Sequence, residues 1–159
     1  MTYADYVAVK QVTLPLRAQV RALTITGALD SLYGLLSASA PALLSSPRWA
    51  TRVVPRVAGQ YVVELVRQGY IEPAWRVVRR LIVPLLLPSP STPAALPGMP
   101  PPTVAWIRDV VALLVCHGGG ASPSPAVASL FSLAARDTTA DVVNSAVLDQ
   151  CLLVRAKAK

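Results

Sequence analysis

Arginine is the residue type in this chain best suited to bind a charged partner, and six arginines recur at helical spacing in the middle third. They form two sets: Arg48, Arg52 and Arg56, then Arg76, Arg79 and Arg80. Residues three or four apart share one face of a helix, and arginines interleaved with aromatic side chains can bind phosphates and stack on bases. The same spacing also describes the solvent-facing side of an ordinary amphipathic helix. Both interpretations stay open at this stage.

The excess of positive charge is concentrated in that region. Seven arginines but only two acids, Glu64 and Glu72, lie between residues 48 and 80, in a chain of net charge +7. Such a balance favours an anionic partner, either RNA or DNA phosphates or an anionic membrane surface. The chain carries no sequence signature of an RRM, KH, zinc-finger or helix-turn-helix domain, so a sequence-specific nucleic-acid-binding fold is not predicted.

Residues that could catalyse a reaction are few and badly spaced. The single histidine, His117, directly follows Cys116. Adjacent residues of a helix point about 100 degrees apart, so these two do not form a nucleophile–base pair. One histidine and two cysteines make no familiar set of metal ligands. We therefore expect no catalytic residues, no metal and no cofactor, and hence a protein that is not an enzyme.

The acidic residues are scattered, and their closest helical pair has a structural explanation. Asp137 and Asp141 lie one turn apart in the stretch DTTADVV. We expect Asp137 or Thr138 to cap the start of the last helix, and Asp141 to lie near the positive end of its dipole. No carboxylate pair is predicted to share acid–base work.

The composition favours extensive burial against partners. Hydrophobic residues make up 53% of the chain and charged residues 14%, whereas about 25% of a typical soluble domain is charged. The uncharged run from Leu81 to Ile107 is long enough to cross a bilayer, but prolines interrupt it, so no transmembrane span is expected. We expect contacts with other protein subunits and a chain that is not a free monomer.

The N-terminal segment and the cysteines indicate the compartment. MTYADYVAVKQV lacks the apolar core of a secretory signal, and two cysteines, Cys116 and Cys151, are too few for a disulfide framework. These features favour a reducing intracellular compartment or a virion over secretion by a standard signal peptide.

Hydrophobic periodicity predicts an all-α fold of about six or seven helices, since no stretch alternates persistently at period two. We expect a short helix over 2–12 and a longer one over 16–36 that is weakened at Gly27. A third is expected from Ser46–Pro47 to Arg67, with Pro55 causing a bend or break near Val53–Val54 and Gly69 following its end. Further helices are expected from Glu72–Pro73 to Pro88, and over 103–116, 126–135 and 138–155.

The clearest linker is the segment PSPSTPAALPGMPPP, residues 88–102. Seven of its fifteen residues are proline, which favours an extended polyproline II conformation. The chain is therefore divided into an N-terminal helical group, 1–87, and a C-terminal helical group, 103–159. These unequal groups could be irregular helical hairpins, and they could still pack as one domain.

Each tryptophan is followed by an arginine and a Val-Val pair: WATRVV at 49–54, WRVV at 75–78 and WIRDVV at 106–111. Separations of 26 and 31 residues suit helix-pair repeats in which tryptophan anchors each helix. Differences between the copies favour coincidence with ordinary packing at helix starts. In an assembly, we expect the protein interface to include Trp49, Trp75, Leu81, Ile82, Leu85, Leu86 and Trp106.

These features together predict a non-catalytic structural protein, a helical subunit or minor component of a large complex such as a viral particle or an organellar assembly. The alternative is a basic helical module that binds nucleic acid or an anionic membrane through the region from Arg48 to Arg80. A third interpretation is a membrane-associated protein whose LIVPLLLP segment, residues 81–88, enters the membrane interface.

Overall fold

The protein is all-α, as predicted. A computed structural model describes residues 2–46, 52–86, 101–119 and 125–158, and every secondary-structure element within these ranges is helical. Seven of the described α-helices are at least seven residues long, which is close to the number expected from the sequence.

Four helices make up the first described segment: α1 (Tyr3–Val12), α2 (Leu14–Ile25), α3 (Leu29–Ser39) and α4 (Pro41–Leu44). Thr2 caps α1, since its hydroxyl accepts a hydrogen bond from the Asp5 N–H and the Asp5 carboxylate accepts one from the Thr2 N–H. The helix expected over 16–36 is divided into α2 and α3, because Gly27 adopts a φ of 78°. That left-handed conformation suits glycine and ends α2.

Helix α5 (Val54–Arg67) is the central element. Pro55 lies in its first turn, where the missing N–H has no intrahelical partner to lose. The start expected at Ser46–Pro47 falls partly on residues 47–51, which lie outside the described residues. At the other end Gly69 has a φ of 85°, so the predicted glycine stop after Arg67 is confirmed.

The next helical stretch contains a π-helical segment. Helix α6 (Ile71–Val77) continues into a π-helix, Val78–Ile82, and then into α7 (Val83–Leu86). The Val83 N–H donates to the Val78 carbonyl, five residues earlier. Pro84 explains the wider turn, because proline has no N–H and its ring would clash with the carbonyl of Arg80 in regular α-helical geometry.

The last segments contain α8 (Pro101–Gly119), α9 (Pro125–Ala128), a 3-10 turn (Ser129–Phe131) and α10 (Leu133–Ala158). Helix α8 includes the last two prolines of the predicted linker and continues past Cys116. Residues 88–100 of that linker lie outside the described part. The prediction of one helix over 126–135 was wrong, since the chain forms only α9 and the 3-10 turn before α10 begins at Leu133.

The predicted start of α10 is also corrected. Asp137 and Thr138 lie inside the helix, which begins five residues before Thr138, at Leu133. Ser132 has an extended backbone, and its hydroxyl accepts a hydrogen bond from the Ala135 N–H over 3.3 Å. Ser132 therefore caps the helix, while Asp137 and Asp141 both accept hydrogen bonds from Arg21 of α2.

The buried side chains form two clusters. Each includes residues of α5 or Val53, the residue just before it. The α10 core joins α2, α3, α4 and α10; its buried members are Val20, Leu29, Leu32, Leu36, Leu43, Val53, Val143 and Val147. The Trp106 core joins α5, α6, the π-helix, α8, α9 and the 3-10 turn, with Val62, Val63, Ile82, Val110, Leu113 and Leu114 among its most buried members. Helices from opposite sides of residues 88–100 therefore pack on each other, α10 on α2 and α8 on α5.

Candidate functional site

A surface groove with an apolar floor lies between α3, α5 and the stretch of α6 and the π-helix. It has two halves, each of about 310 Å³, and Tyr61 and Leu81 line both. The half towards α3 is lined mainly by Leu29, Tyr33, Val54 and Val57. The half towards α6 is lined by Leu65, Pro73 and Val77 together with two arginines. We call this whole depression the apolar groove.

Large apolar side chains of the groove are open to solvent. Tyr33 is 62% exposed and Leu81 is 47% exposed, and Tyr61, Val54 and Val57 are half-buried. Contiguous exposed apolar surface on a soluble domain generally marks a site for another molecule. Leu81 lies within the π-helix, and such segments often lie at functional sites because they alter which side chains a helix presents.

Charged residues of opposite sign line different halves of the apolar groove. Arg76 and Arg80, one turn apart and both exposed, line the half towards α6. Neither forms an ion pair with any residue in the described part of the chain. Asp30, in the first turn of α3, lines the other half. The groove therefore has one half with two arginines and one half with a single acid, and its other lining residues are apolar or tyrosine.

The other predicted arginines do not join this pair. Arg79 lies beside them in the sequence, but it donates to Glu72 over 2.9 Å. Arg52 is exposed and lines a different depression, which also contains Asp141 and Asp149 of α10. Arg56 points towards α10 and α8. Arg48 lies outside the described residues.

Arg56 belongs to a polar network between α5 and α10, which we call the buried polar network. Its members are Arg56, Gln60 and Glu64 of α5 and Arg136 and Thr139 of α10. The Arg56 guanidinium donates to the Thr139 hydroxyl over 2.9 Å and to the Ala135 carbonyl over 3.1 Å. It also stacks on the Trp106 ring, 3.5 Å from the centroid. Burial lowers the pKa of Arg56 to about 10, which leaves it charged at neutral pH.

Glu64 holds the other end of the buried polar network. The Arg136 guanidinium donates to both carboxylate oxygens of Glu64, over 2.8 and 2.5 Å, and Gln60 donates over 2.9 Å. Burial by itself would raise the pKa of Glu64, but these hydrogen bonds and the charges of Arg136 and Arg67 lower it below its ordinary value. Arg136 also donates to the Ile25 carbonyl over 2.7 Å, so the network ties α2, α5 and α10 together.

The residues predicted for a protein interface divide between surface and core. Leu81 is exposed in the apolar groove, and Trp75 is half-buried at the edge of the Trp106 core. Ile82 is fully buried and Trp106 is 6% exposed, both inside the Trp106 core. Trp49 and the side chains of Leu85 and Leu86 lie outside what the structure describes. The two described tryptophans thus occupy unlike environments, at the edge and at the centre of one core.

Sequence reasoning missed Tyr33, Tyr61 and the buried polar network. The sequence did contain a pattern that indicates the network. Arg56, Gln60 and Glu64 are spaced four residues apart, so they form a polar stripe on a helix whose other residues are largely apolar. No sequence pattern indicates the groove, because Tyr33 and Tyr61 belong to different helices that only tertiary packing brings together.

Cys116 and His117 occupy the end of α8. Cys116 is partly buried, and the exposed His117 ring contacts Phe131 edge-on, with 5.8 Å between centroids. Within the described residues, His, Cys, Asp and Glu side chains do not gather into a group of three able to hold a metal ion. In the same part of the chain, none of the helices is both long and apolar enough to cross a membrane.

Comparison with known proteins gives no relative from which to transfer a role. No protein-family model, no curated protein and no solved structure matches the chain.

Proposed function

We propose that this protein is a non-catalytic helical subunit of a larger protein assembly, and that the apolar groove is its contact surface. The observation that carries the proposal is the exposure of Tyr33 and Leu81 on the floor of one depression. Apolar surface of this kind gains free energy when a partner removes it from water. The low charged fraction of the chain, 14%, supports the same role.

The alternative, a basic module that binds nucleic acid or an anionic membrane, has less support from the geometry. It needs the arginines of the region from Arg48 to Arg80 to present one surface. Arg56 faces inward and Arg79 has an acidic partner, Glu72. Arg52 lines a separate depression with two acids. Among the described arginines of the six predicted, only Arg76 and Arg80 share a site.

The proposal is tested on the purified chain after nuclease treatment. Nile red fluorescence and light scattering at rising protein concentration report exposed apolar surface and association. Leu81→Glu is expected to lower both signals, because it places a charge on the groove floor. Val104→Glu is a matched control, since Val104 and Leu81 are each 47% exposed and Val104, on α8, does not line the groove.

Two outcomes contradict the proposal. In one, Leu81→Glu and Val104→Glu have the same effect, so the groove is not special. In the other, the chain neither binds dye nor associates, but binds an added labelled oligonucleotide until high salt releases it. That salt dependence is the signature of phosphate binding and would establish the alternative.

A further inference from the structure

We propose that the partner of the apolar groove is an amphipathic helix with acidic residues concentrated at one end. This inference rests on the proposed function, and it specifies the chemistry of the occupant. Its basis is the apolar character of most of the groove lining and the distribution of charge between the two halves.

The floor of the groove favours a helix over an extended peptide. Ten of its thirteen lining side chains are apolar or tyrosine, and the other three are Arg76 and Arg80 in one half and Asp30 in the other. An extended segment would lay backbone N–H and C=O groups on a surface that offers few hydrogen-bond partners, and unpaired buried backbone groups are costly. A helix satisfies these groups internally and presents apolar side chains at i, i+3, i+4 and i+7.

The charges of the two halves of the groove specify the charge of that helix. Arg76 and Arg80 are exposed, one turn apart, and form no ion pair within the described part of the chain. Asp30 lies in the opposite half. An acidic end of the partner therefore fits beside the two arginines, and a basic residue fits beside Asp30. Such complementary charge contributes to specificity and orientation as well as affinity.

The test uses a fluorescein-labelled synthetic helix of about 18 residues, long enough to form a helix in water. Its leucines recur at i, i+3, i+4 and i+7, and glutamates occupy one end. A second peptide replaces the glutamates with lysines, and a third replaces the leucines with glutamines. Fluorescence anisotropy at low salt is expected to show that the acidic peptide binds at least about tenfold more tightly than the lysine peptide. The glutamine peptide is expected not to bind.

Two double variants test whether the groove arginines cause this preference. Arg76→Glu with Arg80→Glu should reverse it, so that the lysine peptide binds more tightly. Arg79→Glu with Arg108→Glu changes the net charge by the same amount. Those two side chains are 60% and 75% exposed, pair with Glu72 and Asp109, and do not line the groove. This control should keep the preference for the acidic peptide. Circular dichroism checks that both variants keep their helical content.

The outcomes separate this inference from the proposed function. Equal binding of the acidic and lysine peptides, with loss of both in Leu81→Glu, overturns the acidic partner and leaves the assembly role standing. Equal effects of the two double variants indicate a general charge effect and also overturn the inference. Binding to anionic phospholipid vesicles without any peptide preference assigns the arginines to a membrane instead. If Leu81→Glu leaves the binding of every peptide unchanged, the groove is not the contact surface and both proposals fail.

Discussion

Gly59 of α5 lies against Trp106 of α8, and a side chain there has no room. A methyl group on Gly59 would lie 2.9 Å from Trp106 Cε2, and closer still to Nε1. The Trp106 ring cannot move away easily, because it is 6% exposed and Arg56 stacks on it. Glycine at this position of α5 is therefore a packing requirement.

We expect Gly59→Ala to lower the free energy of unfolding by about 1–3 kcal/mol, the usual cost of overpacking a core. Urea denaturation measures the change. The matched control is Gly34→Ala in α3, where an added methyl meets no atom within 4 Å. That change should stabilise the protein by up to about 1 kcal/mol, because alanine favours the helix. The interpretation would be wrong if both substitutions stabilised the protein.

Glu64 is a buried acid whose ionisation contributes to stability. Its pKa in the folded protein is lowered below the ordinary value of 4.5, so the ionised carboxylate favours folding. This stabilisation is fully present above pH 4.5 and is lost as the pH falls through the lower, folded-state pKa.

Glu64→Gln should lower the free energy of unfolding at pH 7 by roughly 3 kcal/mol, since it removes one partner of a buried ion pair. It should also reduce the loss of stability that occurs as the pH falls below 4.5, as measured by urea denaturation at a series of acidic pH values. Glu72→Gln is the comparison, because the Glu72–Arg79 pair is largely exposed, with side chains 68% and 60% accessible. Such a pair contributes less than about 1 kcal/mol. A Glu64→Gln protein as stable as the Glu72→Gln protein would contradict the role of the network.

At the scale of the elements, the start of α10 shows how two capping signals compete. The sequence offers Ser132 and, five to six residues later, Asp137 and Thr138. The structure uses Ser132, because Arg136 and Thr139 must both lie on a helix to reach Glu64 and Gln60 of α5. A start at Thr138 would leave Arg136 outside the helix.

The two possible caps give opposite expectations for alanine substitutions. Ser132→Ala should cost about 1 kcal/mol of unfolding free energy, the typical value for losing an N-cap. Thr138→Ala should be neutral or slightly stabilising, since the exposed Thr138 lies inside the helix, where alanine is favoured. Thermal and urea denaturation of both variants decide between them. The reverse order would indicate that the helix begins at Thr138.

At the scale of the whole molecule, α5 and α10 couple the two cores. Val53, just before α5, packs in the α10 core, and Val62 and Val63 pack in the Trp106 core. The buried polar network then fixes α5 against α10 through Arg56 and Arg136. Because one helix serves both clusters, neither core can lose its packing without disturbing the other.

We expect the described helices to unfold in one cooperative transition. Leu32→Ala, a fully buried position of the α10 core, should cost about 2–5 kcal/mol. In a Trp49→Phe background, the loss of unfolding free energy should be the same by far-UV circular dichroism as by the fluorescence of Trp75 and Trp106, which lie at the other core. If Leu32→Ala shifted the dichroism midpoint and left the fluorescence midpoint unchanged, the cores would be independent.

Local patterns in the sequence were sufficient for the fold class and for several helix boundaries. Period-three-and-four hydrophobic spacing identified the helices, and the end of α5 before Gly69 was predicted, because glycine readily adopts a positive φ. Gly27 and Pro55, expected to weaken and to bend longer helices, instead lie between α2 and α3 and in the first turn of α5. Leu81, predicted from the sequence to belong to a protein interface, is 47% exposed and lines the groove, and the interface itself stays a prediction.

Tertiary structure decided which polar and aromatic residues face inward. Arg56 and Arg80 look alike in the sequence, both on arginine-bearing helices, yet Arg56 lies in the buried polar network and Arg80 lines the groove. The difference arises from residues on other helices. Arg56 donates a hydrogen bond to Thr139 of α10, whereas Arg80 lines the groove together with Tyr61 of α5. Helical spacing specifies only which residues share a face; the helices that pack against that face determine whether it is buried, paired or open to a partner.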